Sequence, residues 1–195
     1  MDIQTSITDG IQTIAFDRPD KKNAITAAMY QTMADALTAA DGDDAVRVIL
    51  FKGHAQIFTA GNDLEDFLAH PPRDDNSPVV LFMQALAGLS KPVIAAVSGA
   101  AIGIGTTMLL HCDLVYAAEN AKFAMPFTQL GLCPEFGSSL LLQRVAGYQR
   151  AAEKLLLGDM FVAREAMEMG LVSQVVGLDE LLPLALRQAA RLVAL

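Results

Sequence analysis

The stretch Val93-Ile94-Ala95-Ala96-Val97-Ser98-Gly99-Ala100-Ala101-Ile102-Gly103-Ile104-Gly105 decides how this chain reads. Its first five residues form an unbroken apolar run, the pattern of a strand buried on both faces. Ser98 and Gly99 end the run. A buried apolar helix over 106–112 and another short strand over 114–117 follow the last glycine. Strand, glycine-rich turn, helix and strand together describe a parallel crossover. The glycines admit three readings. Their GxxxGxG spacing departs from the GxGxxG of a dinucleotide-binding turn. Small residues also let a buried helix pack close to a sheet. Glycines at a helix start can instead expose backbone N–H groups that stabilise a developing negative charge.

On the N-terminal side, the runs 3–8 and 11–16 alternate around Asp9-Gly10, a strong hairpin signal. Residues 17–23 are a polar loop. Thr26 is placed to cap a helix to about Ala40, with Met29, Met33, Ala36, Leu37 and Ala40 on one face. Residues 46–52 read as a buried strand, 54–62 as a loop, and Asp63 opens a short helix toward Leu68. Residues 69–78, with three prolines and several acids, are the most loop-like segment. Residues 79–89 are helical. On the C-terminal side, 122–125 reads as a short strand, and helices are expected over 136–145, 149–157 and 163–169. A strand is expected over 171–176. Asp179 then opens an amphipathic helix with Leu182, Leu186, Ala189, Ala190 and Val193 on its apolar face. The order argues α/β with sequential crossovers in a single domain over 1–195.

Composition narrows the function. The 195 residues are 53% hydrophobic, enough for a large core, and only 18% charged, which suggests surface buried in an oligomer. A net charge of -8 argues against nucleic acid and anionic membranes as partners. No apolar run reaches the ~18–20 residues of a membrane span, and the first ten residues carry no signal-peptide pattern. Cys112 and Cys133 read as reduced, buried thiols rather than a disulfide framework or a zinc site. His54, His70 and His111 have no metal-ligand spacing, so no metal is expected. Ser98 lacks the leading glycine of a nucleophile elbow, which disfavours a hydrolase.

Two further stretches carry chemistry. In Phe58-Thr59-Ala60-Gly61-Asn62-Asp63-Leu64, Asn62 or Asp63 can cap the next helix, or the loop can supply a second backbone N–H donor. In 125–139, MPFTQLGLCPEFGSS, Glu135 follows a proline. It reads either as an acid complementing a helix dipole or as a base desolvated by Phe127, Leu130, Leu132 and Phe136.

These residues resemble the crotonase, or enoyl-CoA hydratase/isomerase, superfamily. The stretch 17–24 (DRPDKKNA) is similar to its early CoA-loop motif and 58–64 to its first oxyanion-hole loop. The stretch 91–113 is similar to its central signature and 158–176 to a later segment. The resemblance spans essentially the whole chain in order. It implies an α/β crotonase (ClpP-like) spiral of ββα units with helices around stacked sheets. The C-terminal helical part, which builds the trimer and covers the acyl pocket, is expected to be absent or only begun at 180–195.

Hydratases of the family use two glutamates. Their positions here are Thr107 and Phe127, so the hydratase pair is missing. Pro134-Glu135 with Ser138-Ser139 resembles the peroxisomal-type Δ3,Δ2-enoyl-CoA isomerases, as do Ala60-Gly61-Asn62-Asp63 and Ile102-Gly103-Ile104. Phe136 departs from that branch, which often has a glycine directly after the glutamate. The resemblance implies an isomerase of fatty acid β-oxidation. Glu135 is its proton shuttle and the N–H groups of Asn62 and Ile104 its oxyanion hole. By the same resemblance Lys22, Ala24, Ala60, Gly61, Asp63, Leu64, Gly103, Phe127 and Leu130 are expected to bind the acyl-CoA thioester, and Arg18, Lys21 and Lys22 are candidate phosphate contacts. It implies no cofactor beyond the coenzyme A of the substrate and a homotrimer or dimer of trimers. The compartment would be the cytoplasm in a bacterium or the peroxisome in a eukaryote. A non-catalytic acyl-CoA-binding protein on the same fold, or another crotonase activity such as hydration, are the alternatives.

Overall fold

The computed structural model describes residues 2–195. Asp9 and Gly10, both at positive φ, turn strand β1 (Ile3–Thr8) into β2 (Ile11–Phe16) as an antiparallel hairpin. Helix α1 (Ala27–Gly42) starts where Thr26 accepts the Met29 N–H at 3.3 Å. It buries Met29, Tyr30, Met33, Ala34, Leu37 and Ala40. Strand β3 (Val48–Lys52) then leads through Gly53 into a short strand, β4 (Ile57–Thr59), inside what the sequence reads as a loop. Helices α2 (Leu64–Ala69) and α3 (Pro78–Gly88) follow, with Asp63 capping α2 as expected.

The opening stretch divides in two. Strand β5 (Val93–Val97) is buried throughout, and β6 (Ala100–Ile102) runs on directly from it into helix α4 (Ile104–Thr107) and a further 3-10 turn over Met108–His111. Strands β7 (Leu114–Ala118) and β8 (Lys122–Ala124) repeat the pattern. Helices α5 (Ser138–Ala146) and α6 (Tyr148–Leu157), strand β9 (Phe161–Val162), helix α7 (Ala163–Glu168), strand β10 (Gln174–Val176) and helix α8 (Leu178–Val193) complete the chain.

The strands build two sheets. The larger has the order β1-β2-β3-β5-β7-β10, parallel after the first hairpin; the smaller has the order β4-β6-β8-β9. After the first hairpin, the three pairs β3-β4, β5-β6 and β7-β8 each place one strand in the large sheet and the next in the small one before helices return the chain. This is the expected spiral of ββα units. The main core lies between the sheets and under α1 and α3. There Phe82 of α3 meets Phe51 of β3 and Tyr30 of α1 at centroid distances of 6.4 and 5.5 Å. Each such buried side chain contributes about 1.5–3 kcal/mol. A second core covers the opposite face of the large sheet, where Leu181, Leu184, Ala185 and Ala189 of α8 pack on Val48, Leu50, Ile94 and Ala96.

Three expectations change. The strands β4, β6 and β9 are short and sit among turn residues, so no local period marks them; pairing with distant partners creates them. On α8 the buried face is Leu181, Leu184, Ala185 and Ala189, while Leu182 and Leu186 are 36% and 40% exposed. Leucines occupy neighbouring faces of this helix, and the sheet surface decides which face is buried. Helix α5 starts at Ser138 rather than Phe136, because Phe136 and Gly137 both take the left-handed conformation, at φ 55 and 67. In addition, Cys133 is exposed rather than buried, and Cys112 is half-buried, its thiol held protonated by desolvation. No helix among the described residues is long and apolar enough to cross a membrane.

The step from the large sheet to the small one depends on Gly99. It sits at φ +64, and a Cβ there would stand 1.9 Å from the Gln56 carbonyl oxygen. Gly99→Ala is expected to destabilise the fold by about 2–5 kcal/mol, from left-handed strain and overpacking together. Gly42→Ala, with nothing within 4 Å of the added carbon, serves as the near-neutral control. Urea unfolding of both variants measures the difference.

Candidate active site

Two loops meet backbone to backbone. Gly61, at φ +85, lies so close to the turn entering α4 that an added Cβ would be 2.7 Å from the Ile102 carbonyl oxygen and 3.9 Å from Gly103 Cα. This contact sets Asn62 beside Ile104. The N–H groups next to these two are occupied: Gly61 donates to Thr59 Oγ1 at 3.1 Å, Asp63 to the Ile25 carbonyl at 2.9 Å and Gly103 to the Ala124 carbonyl at 2.8 Å. Among the described residues, the N–H groups of Asn62 and Ile104 find no protein acceptor. Two free donors at adjoining loops, one of them at the start of a helix, suit a developing oxyanion.

The Asn62 loop is clamped by the segment before α1. Ala60 donates to the Lys22 carbonyl and Ile25 to the Gly61 carbonyl, at 3.0 and 2.8 Å. Buried Asn23 donates to the Phe58 carbonyl at 3.0 Å and accepts the Arg18 N–H at 2.8 Å, while Thr59 Oγ1 donates to the Asn23 carbonyl at 2.6 Å. Lys22, Ala24 and Ala60–Leu64 are thereby brought together along one edge. Lys21, Lys22 and Leu64 stand exposed along this edge. Arg18 turns inward: its guanidinium donates to Asp63 Oδ2 at 2.7 Å and to the Ala24 carbonyl at 2.9 Å. That hydrogen bond holds the Asp63 carboxyl below the usual carboxylate range. Arg18 and Asp63 therefore shape the loop with side chains engaged to each other. Buried Tyr30 of α1 donates its hydroxyl to Asn62 Oδ1.

Glu135 lies in the turn before α5. Its Oε1 accepts a 2.5 Å hydrogen bond from the Thr107 hydroxyl on α4, and its buried Oε2 has no partner. Burial raises the carboxyl from an ordinary 4.5 to about 7, against the lowering effect of the Thr107 bond. The negative charge of Glu135 in turn adds to the burial that raises the Tyr30 phenol. The left-handed Phe136 that follows is held by its surroundings. His111 stacks on its ring at 3.8 Å and meets its carbonyl through Nε2 at 2.8 Å, so this nitrogen carries the proton; Phe82 packs on it at 6.3 Å. Phe136 thus takes the backbone conformation that glycine favours, and the carboxylate stays in place.

The elements form a closed circuit. Asn62 adjoins Gly103; α4 carries Ile104 at its start and Thr107 one turn on; Thr107 holds Glu135; and Tyr30 links the charge of Glu135 back to Asn62. Glu135, Asn62 and Ile104, three residues far apart in sequence, share one site. The expected apolar lining is corrected in part. Phe127 is buried in the main core, but Leu130 and Leu132 are 55% and 49% exposed. Leu130 closes a 3-10 turn whose Thr128 and Gln129 side chains bond to the end of α6, which faces it outward. Glu135 is desolvated by burial, and buried Tyr30 is close enough to feel its charge. Tyr30 and His111 were not expected as site residues; a polar-tipped aromatic on the apolar face of α1 was the available signal for Tyr30. Among the described residues, no three His, Cys, Asp or Glu side chains are grouped to hold a metal ion.

The fold and this site define a class, and comparison with known proteins names it. The profile of the family described as enoyl-CoA hydratase/isomerase matches residues 6–194, and the chain belongs to that family, the crotonases, which act on acyl-CoA thioesters. It is 39% identical to the 1,2-epoxyphenylacetyl-CoA isomerase of Escherichia coli (strain K12), over 98% of this chain and 76% of that protein. It is 41% identical to Enoyl-CoA delta isomerase 2 of Rattus norvegicus, over 85% of this chain and 44% of that longer protein. The solved structure of Pseudomonas aeruginosa OdaA superposes with a TM-score of 0.96 at 50% identity, covering 100% of this chain and 79% of that one.

A carboxyl raised on folding binds its proton more tightly in the native state. Its contribution to stability is complete below about 4.5 and is lost as the pH climbs through about 7. Replacing Glu135 by Gln removes that dependence. Between pH 5 and pH 8 the wild type is expected to lose roughly 2–3 kcal/mol relative to Glu135→Gln, measured by urea unfolding at the two pH values.

Proposed function

We propose that the chain is a Δ3,Δ2-enoyl-CoA isomerase that moves a double bond from C3 to C2 of an enoyl-CoA thioester. The observation that carries this reading is one buried carboxylate, Glu135, with one oxygen unpartnered, in the same circuit as two unpartnered backbone N–H groups. The shift needs a proton removed at C2 and one delivered at C4, and a single carboxylate does both if it reaches both carbons. Thioester α-protons are weakly acidic, so the dienolate oxygen needs stabilisation. Asn62 and Ile104 supply the donors, each worth about 3–4 kcal/mol by analogy with other oxyanion holes. A carboxyl near 7 is matched to a task in which it must both take and return a proton near neutral pH. Water addition needs a second acid or base. Thr107 and Phe127, in the positions of the hydratase pair, offer none. The reaction calls for no cofactor beyond the coenzyme A of the substrate. Lys21 and Lys22, exposed beside the clamped loop, are the cations offered to its phosphates.

Similarity to the rat delta isomerase favours this reading. Similarity to the Escherichia coli epoxyphenylacetyl-CoA isomerase favours a second one on the same machinery, the isomerisation of an epoxide-bearing acyl-CoA. Parallel assays with 3-enoyl-CoA and 1,2-epoxyphenylacetyl-CoA separate the two.

Glu135→Gln is expected to abolish isomerisation of 3-enoyl-CoA while leaving binding of the CoA ester intact; full activity in this variant removes Glu135 from the mechanism. In the wild type, kcat/KM should rise with pH through about 7, because the ionised carboxylate is the base in the free enzyme. We further propose a homotrimer or dimer of trimers. Leu140, Val145, Tyr148, Leu156, Leu157 and Met160 on and beside α5 and α6 stand exposed, an apolar surface that an assembly would cover. Sedimentation should then report a particle of three or six chains; a monomer at micromolar concentration would refute it.

A further inference from the structure

Resting on the isomerase reading of Glu135, we propose that Thr107 is the positioning residue of this site: its hydroxyl holds Glu135 Oε1 and leaves Oε2 as the oxygen that exchanges the proton with the substrate. Two adjacent threonines on α4 show what is particular about it. Both are fully buried. Thr106 turns its hydroxyl back onto the chain, to the Ala101 carbonyl at 2.6 Å and the Ala124 carbonyl at 3.2 Å. That is a structural use of a helical threonine. Thr107 makes no such bond. Its hydroxyl donates across to the turn before α5 and ends on Glu135 Oε1 at 2.5 Å.

The consequence is an asymmetric carboxylate. One oxygen carries the anchoring bond and the other is buried with no partner. A hydroxyl donor stabilises the ionised form over the neutral one. Burial acts in the opposite direction and is the larger effect, which leaves the group near 7. Without Thr107 only burial remains, so at neutral pH the carboxyl would keep its proton in most molecules and would be unavailable as a base. The other titratable groups facing this turn are Tyr30 on α1, which stays protonated, and His111, whose Nε2–H binds the Phe136 carbonyl rather than Glu135. Neither replaces the Thr107 bond.

The test uses Thr107→Val, which keeps the side-chain shape and removes the donor, and Thr107→Ser, which keeps the donor. Protein labelled with 13C at glutamate carboxyls is titrated by NMR, with the Glu135 signal assigned by its loss in Glu135→Gln. The expected midpoint is near 7 in the wild type and in Thr107→Ser, and about one to two pH units higher in Thr107→Val. The acid limb of kcat/KM on 3-enoyl-CoA should move by the same amount. An unchanged midpoint in a folded Thr107→Val protein overturns the proposal; if that variant does not fold, Thr107→Ala titrated in the same way decides by the same criterion. Because the titration needs no turnover, a wild type that leaves 3-enoyl-CoA unchanged overturns the isomerase reading while the midpoints still report on Thr107.

Discussion

The contact of Gly61 with the backbone of Ile102 and Gly103 is the constraint on which the site depends. It holds two loops from successive ββα passes closer than any side chain allows. Beside it, two N–H groups are left without protein acceptors. The rest of the fold secures that approach. The parallel strands of the large sheet fix where each pass begins, the small sheet brings β4 and β6 side by side, and the Arg18–Asp63 and Asn23 hydrogen bonds hold the Asn62 loop from outside. An N–H left without a protein acceptor is held in place only if the surrounding backbone is firmly supported, and these contacts supply that support.

Glu135 presents a related balance. A buried carboxylate near Tyr30 is disfavoured by desolvation, and a single hydroxyl offsets part of that cost. The strained backbone of Phe136 is kept by the His111 stack and hydrogen bond, so the acid has a fixed direction. The same residues that pack the core therefore set the electrostatics of the site. Helix α4 joins the two halves, since its start carries one free N–H and its first turn carries the hydroxyl that anchors the acid.

Much of this was legible in the chain itself. The Asp9-Gly10 hairpin, the Thr26 and Asp63 caps and the buried strand at Val93 follow from local rules of turn geometry, capping and hydrophobic period. Glu135, Asn62 and Ile104 could be singled out from motif order. The short strands β4, β6 and β9 could not, because two or three residues carry no period of their own. The buried face of α8 was legible only in part, with Ala189 buried as read but Leu182 and Leu186 turned outward, for the opposite reason: leucines on adjacent faces supply too much signal.

The sequence by itself determined the α/β class through residue identity and local spacing, and through its resemblance to the crotonases it marked Thr107 and Phe127 as lacking the hydratase acids and Glu135, Asn62 and Ile104 as candidate site residues. Only the tertiary structure decided that Arg18 faces Asp63 rather than solvent, that Tyr30 reaches Asn62, and that Thr107 holds Glu135. Each of these pairs joins residues 28 to 45 positions apart. No local rule specifies such contacts; they form where two sheets and their crossovers bring distant backbones together.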